Sequence, residues 1–362
     1  MVAPKKHKVI KYMRNMLNSG KFPPGSTFVS ESVLISRFGF CKNTVRAAFT
    51  TLVKEGLLER RRGQGTFVMS NLIRENLHKV VHLLVADPMQ RKTSDPFIEN
   101  LIGQVHWRVQ AEGWEVKLHL LEDYSAAQYK LHMLMGRSSI VHGHSVILAG
   151  FDYPKTMTDT LRKAGIQVFT IGRPEDEKNV IFVHGDNEEM IYLATKKLTD
   201  FGHKRIALVH RRETNSLCAD ERCRGFIRAM DEKGLIPDMR LVIHTACRET
   251  EKIGNEIWQK FKAPGVNATA AIICGDDATA EFVAHARREG VRIPDDLSII
   301  ACAPRPVTSG GLHLTRVSSC DDFPLGDITA DCVLRAYNGE RPESLVVPAE
   351  LYEGNTIATS TY

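Results

Sequence analysis

No run in the chain approaches the ~20 uninterrupted apolar residues that a membrane-spanning helix requires, so no membrane partner is expected. The opening stretch Met1-Val2-Ala3-Pro4-Lys5-Lys6-His7-Lys8 is basic, but neither an apolar core nor a cleavage site follows it, and it does not read as a signal peptide. A soluble, cytoplasmic protein is the expectation. Cys-x-x-Cys is absent: eight cysteines (41, 218, 223, 247, 274, 302, 320, 332) are scattered through a long chain. Disulfide frameworks belong to small secreted domains, so reduced thiols are expected. The nearest approach to metal-ligand spacing is His142-Gly143-His144, with no cysteine or carboxylate close by. A closed site needs four ligands, so no metal is expected, and no cofactor. There is no P-loop, no Gly-x-Ser-x-Gly elbow and no His-Glu-x-x-His pair, which removes the usual signatures of phosphoryl transfer, serine hydrolysis and zinc proteolysis.

What is present is an ordinary globular composition with an uneven charge. The chain has 362 residues, 43% apolar and 25% charged, and at about 150 residues per domain it should hold two or three domains. Residues 1–70 carry thirteen Lys/Arg and three acids, a balance of +10, while the remainder carries 35 basic and 40 acidic residues, a balance of −5. A basic head on a mildly acidic body suits a polyanion, with nucleic acid the first candidate. A solvated basic face is the alternative that charge alone leaves open.

The head shows helical periodicity. Val9, Tyr12, Met13 and Met16 predict a short amphipathic helix over Lys8–Leu17. Phe22-Pro23-Pro24-Gly25 reads as a turn, and Ser30 as the N-cap of a second helix carrying Val33, Leu34 and Phe38, which Gly39 breaks. Val45, Ala48, Phe49, Leu52 and Val53 recur at the i, i+3, i+4, i+7, i+8 spacing of a third helix over Lys42–Lys54. Two short helices about a glycine turn make a helix-turn-helix. On the outer face of the third helix, Lys42 and Arg46 project together, with Asn43 and Thr44 beside them on the first turn. Those side chains can read guanine and adenine edges in a major groove. Leu57-Leu58-Glu59-Arg60-Arg61-Arg62 then leads into Gly63-Gln64-Gly65-Thr66-Phe67-Val68, a tight hairpin with basic arms that suits a minor groove. Gly63-x-Gly65 is no dinucleotide fingerprint, since no third glycine follows and no helix opens there.

Pro24-Gly25, Ser30-Glu31, Thr44-Val45-Arg46-Ala47-Ala48, Leu52, Glu55-Gly56-Leu57-Leu58 and Gly63-Gln64-Gly65-Thr66-Phe67-Val68 together resemble the winged helix-turn-helix of GntR-type bacterial regulators. The resemblance implies a homodimer on two-fold, palindromic operator DNA, touched by Ser32, Lys42, Asn43, Thr44 and Arg46 and by the wing residues Arg62, Gly63, Gln64, Gly65 and Thr66. Three positions depart from that family: Ser32 and Lys42 each stand where it usually has Arg, and Cys41 where it has Ser. The operator sequence therefore does not carry over, because Lys grips a guanine less rigidly than Arg.

Asn71–Lys79 reads as a linker. Beyond it, apolar strands (Val80–Ala86, Val116–Leu120, Val146–Leu148, Val168–Ile171, Val180–Val183, Ile206–Val209, Leu241–His244, Ala270–Cys274, Ser298–Ala301) alternate with helices such as Phe97–Glu112, Met190–Phe201, Glu221–Lys233 and Ala278–Glu289. That alternation predicts an α/β body of doubly wound parallel sheets. Ligands of such sheets bind at the carboxyl ends of the strands, where Asp87, Asp186 and the pair Asp276-Asp277 fall. Those acids could also act as acid/base pairs, hold Mg²⁺ or cap helices. For Asp276 the capping role is the expectation, and for Asp277 a ligand contact.

The body also resembles a known domain, the LacI/GalR effector domain, related to periplasmic sugar-binding proteins. The resemblance rests on Asp186-Asn187, Gly202-His203-Lys204-Arg205-Ile206-Ala207, Arg222-x-x-Gly225-Phe226, Thr269 to Ile273, Asp277-x-x-Ala280, Val291-x-Ile293-Pro294-Asp295-Asp296-Leu297-Ser298-Ile299, Leu314-Thr315 and Leu325-Gly326. It implies two lobes joined by three crossings, with the effector held by Arg222 and Asp277 and by Phe97, which either stacks on the ligand or staples its own helix. Ala303 stands where the family places an Asp, which leaves the usual sugar specificity open. Together with the head, the combination resembles the arabinose repressors. The expected organisation is a winged helix-turn-helix over 1–70, a linker over 71–79, and an effector and dimerisation body over 80–362. Its first lobe is expected at about 80–188 and 304–338, its second at about 189–303 and 339–362. The expected function is a ligand-responsive repressor with a small sugar or polyol effector. An activator of the same architecture and an α/β enzyme with a basic appendage are the alternatives.

Overall fold

The computed structural model describes residues 4–18, 22–23, 25–69, 79–86, 96–121, 124–136, 140, 143–150, 153–211, 217–245, 250–319 and 324–360. In the head, helix α1 (Pro4–Asn18) starts four residues before the periodicity suggested, with proline at its first position, where a missing N–H costs nothing. Helix α2 (Glu31–Phe38) is capped by Ser30, whose hydroxyl accepts from the Val33 N–H at 3.5 Å, and it closes at Gly39, which takes a left-handed φ of 63°. Helix α3 (Lys42–Lys54) buries Val45, Ala48, Phe49 and Leu52 against Val9, Met13 and Leu17 of α1 and Leu34 of α2. Strands β1 (Leu58–Arg61) and β2 (Gly65–Val68) pair antiparallel as the wing, with Arg61 opposite Gly65. The turn segment is tied to this hairpin: Gly25 N–H donates to Val68 O at 2.7 Å, and Phe28 N–H to Thr66 O at 2.7 Å. The hairpin therefore stands on the helical core through backbone bonds.

The body holds two six-stranded sheets. The first contains β3 (Val80–Ala86), β4 (Glu115–Leu121), β5 (Ser145–Ala149), β6 (Gln167–Ile171), β7 (Ile181–Gly185) and β15 (Leu345–Val347), in the order β15-β7-β6-β5-β3-β4, all parallel. The second contains β8 (Ile206–Arg211), β9 (Val242–Thr245), β10 (Ala270–Cys274), β11 (Ser298–Cys302), β14 (Thr315–Ser318) and β16 (Glu350–Tyr352), in the order β16-β14-β11-β10-β8-β9. Only its edge strand β16 runs antiparallel. The short hairpin β12 (Thr308–Ser309) and β13 (Leu312–His313) lies between β11 and β14.

Helices cover both faces of each sheet. In the first lobe, α4 (Pro96–Gln110) and α11 (Leu325–Tyr337) bury Leu101, Val105, Ala330 and Val333 on one side. On the other side lie α5 (Tyr124–Gly136) and α6 (Lys155–Lys163), contributing Leu131, Met157 and Leu161. In the second lobe, α7 (Asn187–Asp200) and α8 (Leu217–Glu232) cover one face, and α9 (Thr250–Phe261) and α10 (Asp276–Arg288) the other. Gly225 of α8 allows the tightest of these contacts, since a Cβ there would stand 2.0 Å from the Glu188 carbonyl oxygen of α7. This gives the Arg222-x-x-Gly225-Phe226 spacing a packing reason: Phe226 enters the core, and Gly225 lets α8 lie directly on α7.

The chain crosses between lobes after β7, between β14 and α11, and between β15 and β16. The two later crossings correct the sequence-derived boundaries of 304 and 339. Strand β14 at 315–318 still belongs to the second sheet, and β15 at 345–347 still belongs to the first. The misjudgement has a local cause, because segment 303–314 has no long apolar run to mark it as part of the second lobe. Among the described residues no helix is long and apolar enough to cross a membrane.

Candidate nucleic-acid interface and effector cleft

On the head, the sequence-named residues share one exposed surface. Lys42, Asn43 and Arg46 of α3 are exposed, Thr44 is half-buried, and Ser32 is exposed on α2 with its hydroxyl 2.7 Å from that of Ser30. Arg62, Gly63, Gln64 and Gly65 are exposed at the wing tip, where Gly63 and Gly65 take φ of 73° and 115°; Thr66 is half-buried. Cys41 precedes α3 without capping it; its thiol lies 3.1 Å from the Thr44 hydroxyl.

Sequence reasoning missed the residue that assembles this surface. Glu31 of α2 pairs with Arg46 of α3 at 3.5 Å and also accepts from Arg60 of β1. One carboxylate thus joins both helices of the motif to the wing. Exposed pairs contribute only about 0–1 kcal/mol of stability, so the larger effect is to hold two guanidinium groups in place. Arg60 also lies over the Phe49 ring and Arg61 over Phe67, at 5.5 and 4.5 Å from the ring centroids. In sequence Glu31 was marked only as part of the Ser30-Glu31 motif, with nothing to show that it would reach Arg46 and Arg60.

In the body, both sheets show the strand order 2-1-3-4-5 of flavodoxin-like folds (β4-β3-β5-β6-β7 and β9-β8-β10-β11-β14), whose ligands sit where the order reverses, between the first and third strands. Asp87, after β3, lies outside the described residues. Asp276 and Asp277 follow β10, at the switch point of the second lobe. Asp276 is not the N-cap: that position is Gly275, with φ of 111°, and the Asp276 carboxylate instead stands 3.7 Å from Arg305. Asp277 is half-buried on the first turn of α10, its Oδ1 2.8 Å from the Ala278 N–H. Asp186 is committed to its own helix, accepting from the Glu189 N–H at 2.9 Å as the N-cap of α7.

Arg222 is half-buried on α8, donating through Nε to Asn187 Oδ1 at 3.2 Å. It lies within electrostatic reach of Cys218, Cys274 and Cys302, and so beside the strand end that leads into Asp277. Its neighbour Glu221 is buried and joins the two lobes. From the first lobe, His184 Nε2 donates to Glu221 at 2.8 Å and Arg173 pairs with it at 3.0 Å; Asn187, at the first crossing, donates at 3.2 Å. Burial alone would raise the Glu221 carboxyl, but the His184 hydrogen bond, then the charges of His184 and Arg173, outweigh it and hold the group below its ordinary value.

On the other side of the cleft, Phe97 of α4 lines a cavity of about 30 Å³ with Asn100, Gln104, Pro304, Arg305 and Leu325. Phe97 also packs on the first-lobe core, so the stacking position and the staple are one place. Since Pro304 and Arg305 follow β11 and His184 ends β7, the carboxyl ends of the two sheets meet across the crossings. Arg173, His184, Glu221 and Arg305 carried no signal by themselves in the sequence, because each becomes notable only through a partner distant in the chain; Asn187 was marked only as part of the Asp186-Asn187 motif.

These features define a DNA-binding head joined to a two-lobed ligand-binding body, the architecture of a ligand-responsive transcription regulator. Residues 5–68 match the model for bacterial regulatory proteins of the gntR family, and residues 195–357 match the periplasmic binding protein-like domain. The chain thus combines a GntR-type head with a periplasmic-binding-protein-like body, and it is a regulator of transcription, not an enzyme with a basic appendage. It is 23% identical to an arabinose metabolism transcriptional repressor of Halalkalibacterium halodurans, over 80% of this chain and 77% of that protein. It is 27% identical to the HTH-type transcriptional repressor PurR of Pasteurella multocida, over 57% of this chain and 60% of the relative. Among solved structures, a CelR–cellobiose complex superposes with a TM-score of 0.63 at 20% identity, covering 88% of this chain and 91% of the other. A LacI family regulator from Enterococcus faecium with bound ribose gives a TM-score of 0.61 at 20% identity, covering 78% and 100%.

Proposed function

We propose that the protein is a cytoplasmic, homodimeric repressor that binds a two-fold operator through its wings and α3 helices and is released by a small carbohydrate. The observation that carries the effector half is the meeting of the carboxyl ends of the two sheets across three crossings, with Arg222 and Asp277 on the second-lobe side. A guanidinium and a carboxylate can hydrogen-bond vicinal hydroxyls in donor and acceptor roles at once. Phe97 offers an apolar ring face from the opposite lobe. The relatives named above are an arabinose metabolism repressor and the repressor PurR, and the two structural neighbours hold cellobiose and ribose, which supports a carbohydrate. The cavity beside Phe97, about 30 Å³, has room for only a water or two, far below the ~300 Å³ or more of a ligand pocket. The effector would therefore enter when the lobes part. The dimer is supported by an apolar patch on the first lobe: Leu118 and Leu120 on edge strand β4 are 43% and 40% exposed, and Trp107 of α4 is 75% exposed. A second copy would cover it.

Two variants test the two halves separately. Arg46→Ala should weaken operator binding about 10-fold in a gel shift, the usual scale for losing one good base contact, with little change in effector binding. Arg222→Ala and Asp277→Ala should bind operator normally yet lose the response to the carbohydrate that a thermal-shift screen identifies. Full induction in both of the latter would place the effector elsewhere. A nucleotide as the only hit would replace the carbohydrate reading.

A further inference from the structure

We propose that Cys274 and Cys302 form an oxidisable dithiol at the base of the cleft, converted by hydroperoxides into a cross-strand disulfide that alters effector binding. The two residues end neighbouring parallel strands and stand directly opposite each other in register, Cys274 of β10 beside Cys302 of β11. Paired strands lie about 4.8 Å apart, inside the 4.4–6.8 Å Cα window of a disulfide. The Cys302 thiol donates to Met190 Sδ at 3.9 Å, and each sulfur lies close enough to shift the other's ionisation. Both are buried, 8% and 7% exposed, yet they sit where the strands open into the cleft. The other described cysteines stand differently: Cys41 is exposed on the head, Cys332 is buried in the first lobe, and Cys218 and Cys223 share helix α8.

The surroundings assign the roles. Arg222 places a positive charge beside both sulfurs, and such a charge favours the thiolate that attacks peroxides. Cys274 also leads through Gly275 straight into the N-terminus of α10, a second setting that favours a thiolate, while the Cys302 thiol faces Met190 Sδ. Cys274 is therefore assigned as the attacking sulfur and Cys302 as the resolving one. The Cys274 thiolate takes the terminal oxygen of the hydroperoxide; an S–O bond forms, the O–O bond breaks, and the alcohol leaves after taking a proton. Cys302 then attacks the sulfenic sulfur; the S–S bond forms, the S–O bond breaks, and water departs with the Cys302 proton. Two thiols are oxidised and one hydroperoxide is reduced.

The bond would also move the site. A disulfide holds its Cβ atoms about 3.8 Å apart in a fixed dihedral, so both side chains must turn toward each other and shift the strand ends, even though the Cα spacing already fits. Each runs straight into site residues, β10 through Gly275 to Asp276 and Asp277, and β11 through Ala303 and Pro304 to Arg305. The shift therefore reaches Asp277 directly.

The bridge is tested on the full-length protein treated with cumene hydroperoxide, followed by mapping of non-reduced peptides by mass spectrometry. A linked peptide pair containing 274 and 302, lost on reduction, is the expected result. Cys274→Ser and Cys302→Ser should each abolish it, whereas Cys223→Ser should leave it intact. Persistence of both thiols, or linkage of either residue to another cysteine, overturns the proposal. The functional part rests on the carbohydrate reading. With the sugar found by thermal shift, oxidation should change affinity at least about fivefold, the lower end of a measurable coupling, and Cys302→Ser should cancel that change. Bridge formation with unchanged affinity would overturn the coupling alone. Absence of any carbohydrate ligand would fault the effector reading and leave the mass result standing.

Discussion

Glu221→Ala should destabilise the body by about 3 kcal/mol, the lower end expected when one partner of a buried ion pair is removed. The carboxylate is 4% exposed and is held by His184, Arg173 and Asn187. Removing it leaves His184, itself 3% exposed, without its acceptor, and leaves the Arg173 guanidinium facing a cavity. Part of the Arg173 charge reaches water, since that side chain is 31% exposed, which is why the low end applies. Urea unfolding of both proteins at neutral pH measures the difference. Glu221→Gln, which keeps an acceptor but drops the charge, should lose less. Because the clasp joins α8 of the second lobe to β7 of the first, the Ala variant should also open more readily and bind the effector with altered affinity. Operator affinity of the ligand-free protein provides the control for a folded head. A loss below about 0.5 kcal/mol, the size of an ordinary surface change, would mean that the network carries little of the inter-lobe energy.

Acid should weaken the first lobe by a second, independent route. His82 of β3 is fully buried between two other histidines: its Nδ1 lies 3.0 Å from His119 Nε2 of β4, and its Nε2 lies 3.1 Å from His144 Nδ1, just before β5. A row of neutral imidazoles satisfies these bonds by donating in one direction along the row. Adding a proton to the middle ring would make both of its nitrogens donors, force the ring that had been donating to it to change tautomer, and place a charge in a buried site. Burial, then the neighbouring His144 and His119 and Lys117, pushes His82 down to about 3. His119 is lowered as well, by burial and by Lys130 and Lys117. The sign follows from linkage. Below the ordinary histidine value the unfolded chain takes up a proton that the folded chain refuses, so stability is intact above about pH 6.5 and declines from there down to about pH 3. Between pH 7 and pH 5 the cost from His82 alone is about 2 kcal/mol, at about 1.36 kcal/mol per unit. Urea midpoints at the two pH values measure it, and His82→Leu should flatten the dependence. An unchanged slope in that variant would assign the acid sensitivity to other groups.

The helices of the head and nearly all the body's strands were legible in sequence because each is marked by its own periodicity or apolar run. The α3 stripe of Val45, Ala48, Phe49 and Leu52 is a local pattern, and it is the buried face. The candidate site was legible only in part. Arg222 and Asp277 stood in recognisable motifs, and the structure sets Arg222 beside the strand that leads into Asp277. Asp186 had the same strand-end position but spends its oxygen on the Glu189 amide, a choice that depends on where α7 begins. The Glu221 clasp and the His119–His82–His144 row were invisible for another reason. Each joins residues on separate elements, and only strand order and register bring them within 3 Å or so of one another. Periodicity reports which face of an element is buried and says nothing about which buried groups will touch.

The shared attachment of Arg46 and Arg60 to Glu31 bears on how the head would tolerate variation in its target. Helix and hairpin are fastened to one anchor, so neither can slide to follow a displaced groove while the other stays seated. Little ordering entropy remains to be lost on docking, which favours affinity for a matched duplex. The same stiffness makes the head an unforgiving gauge: a site whose grooves are spaced differently loses both grips together.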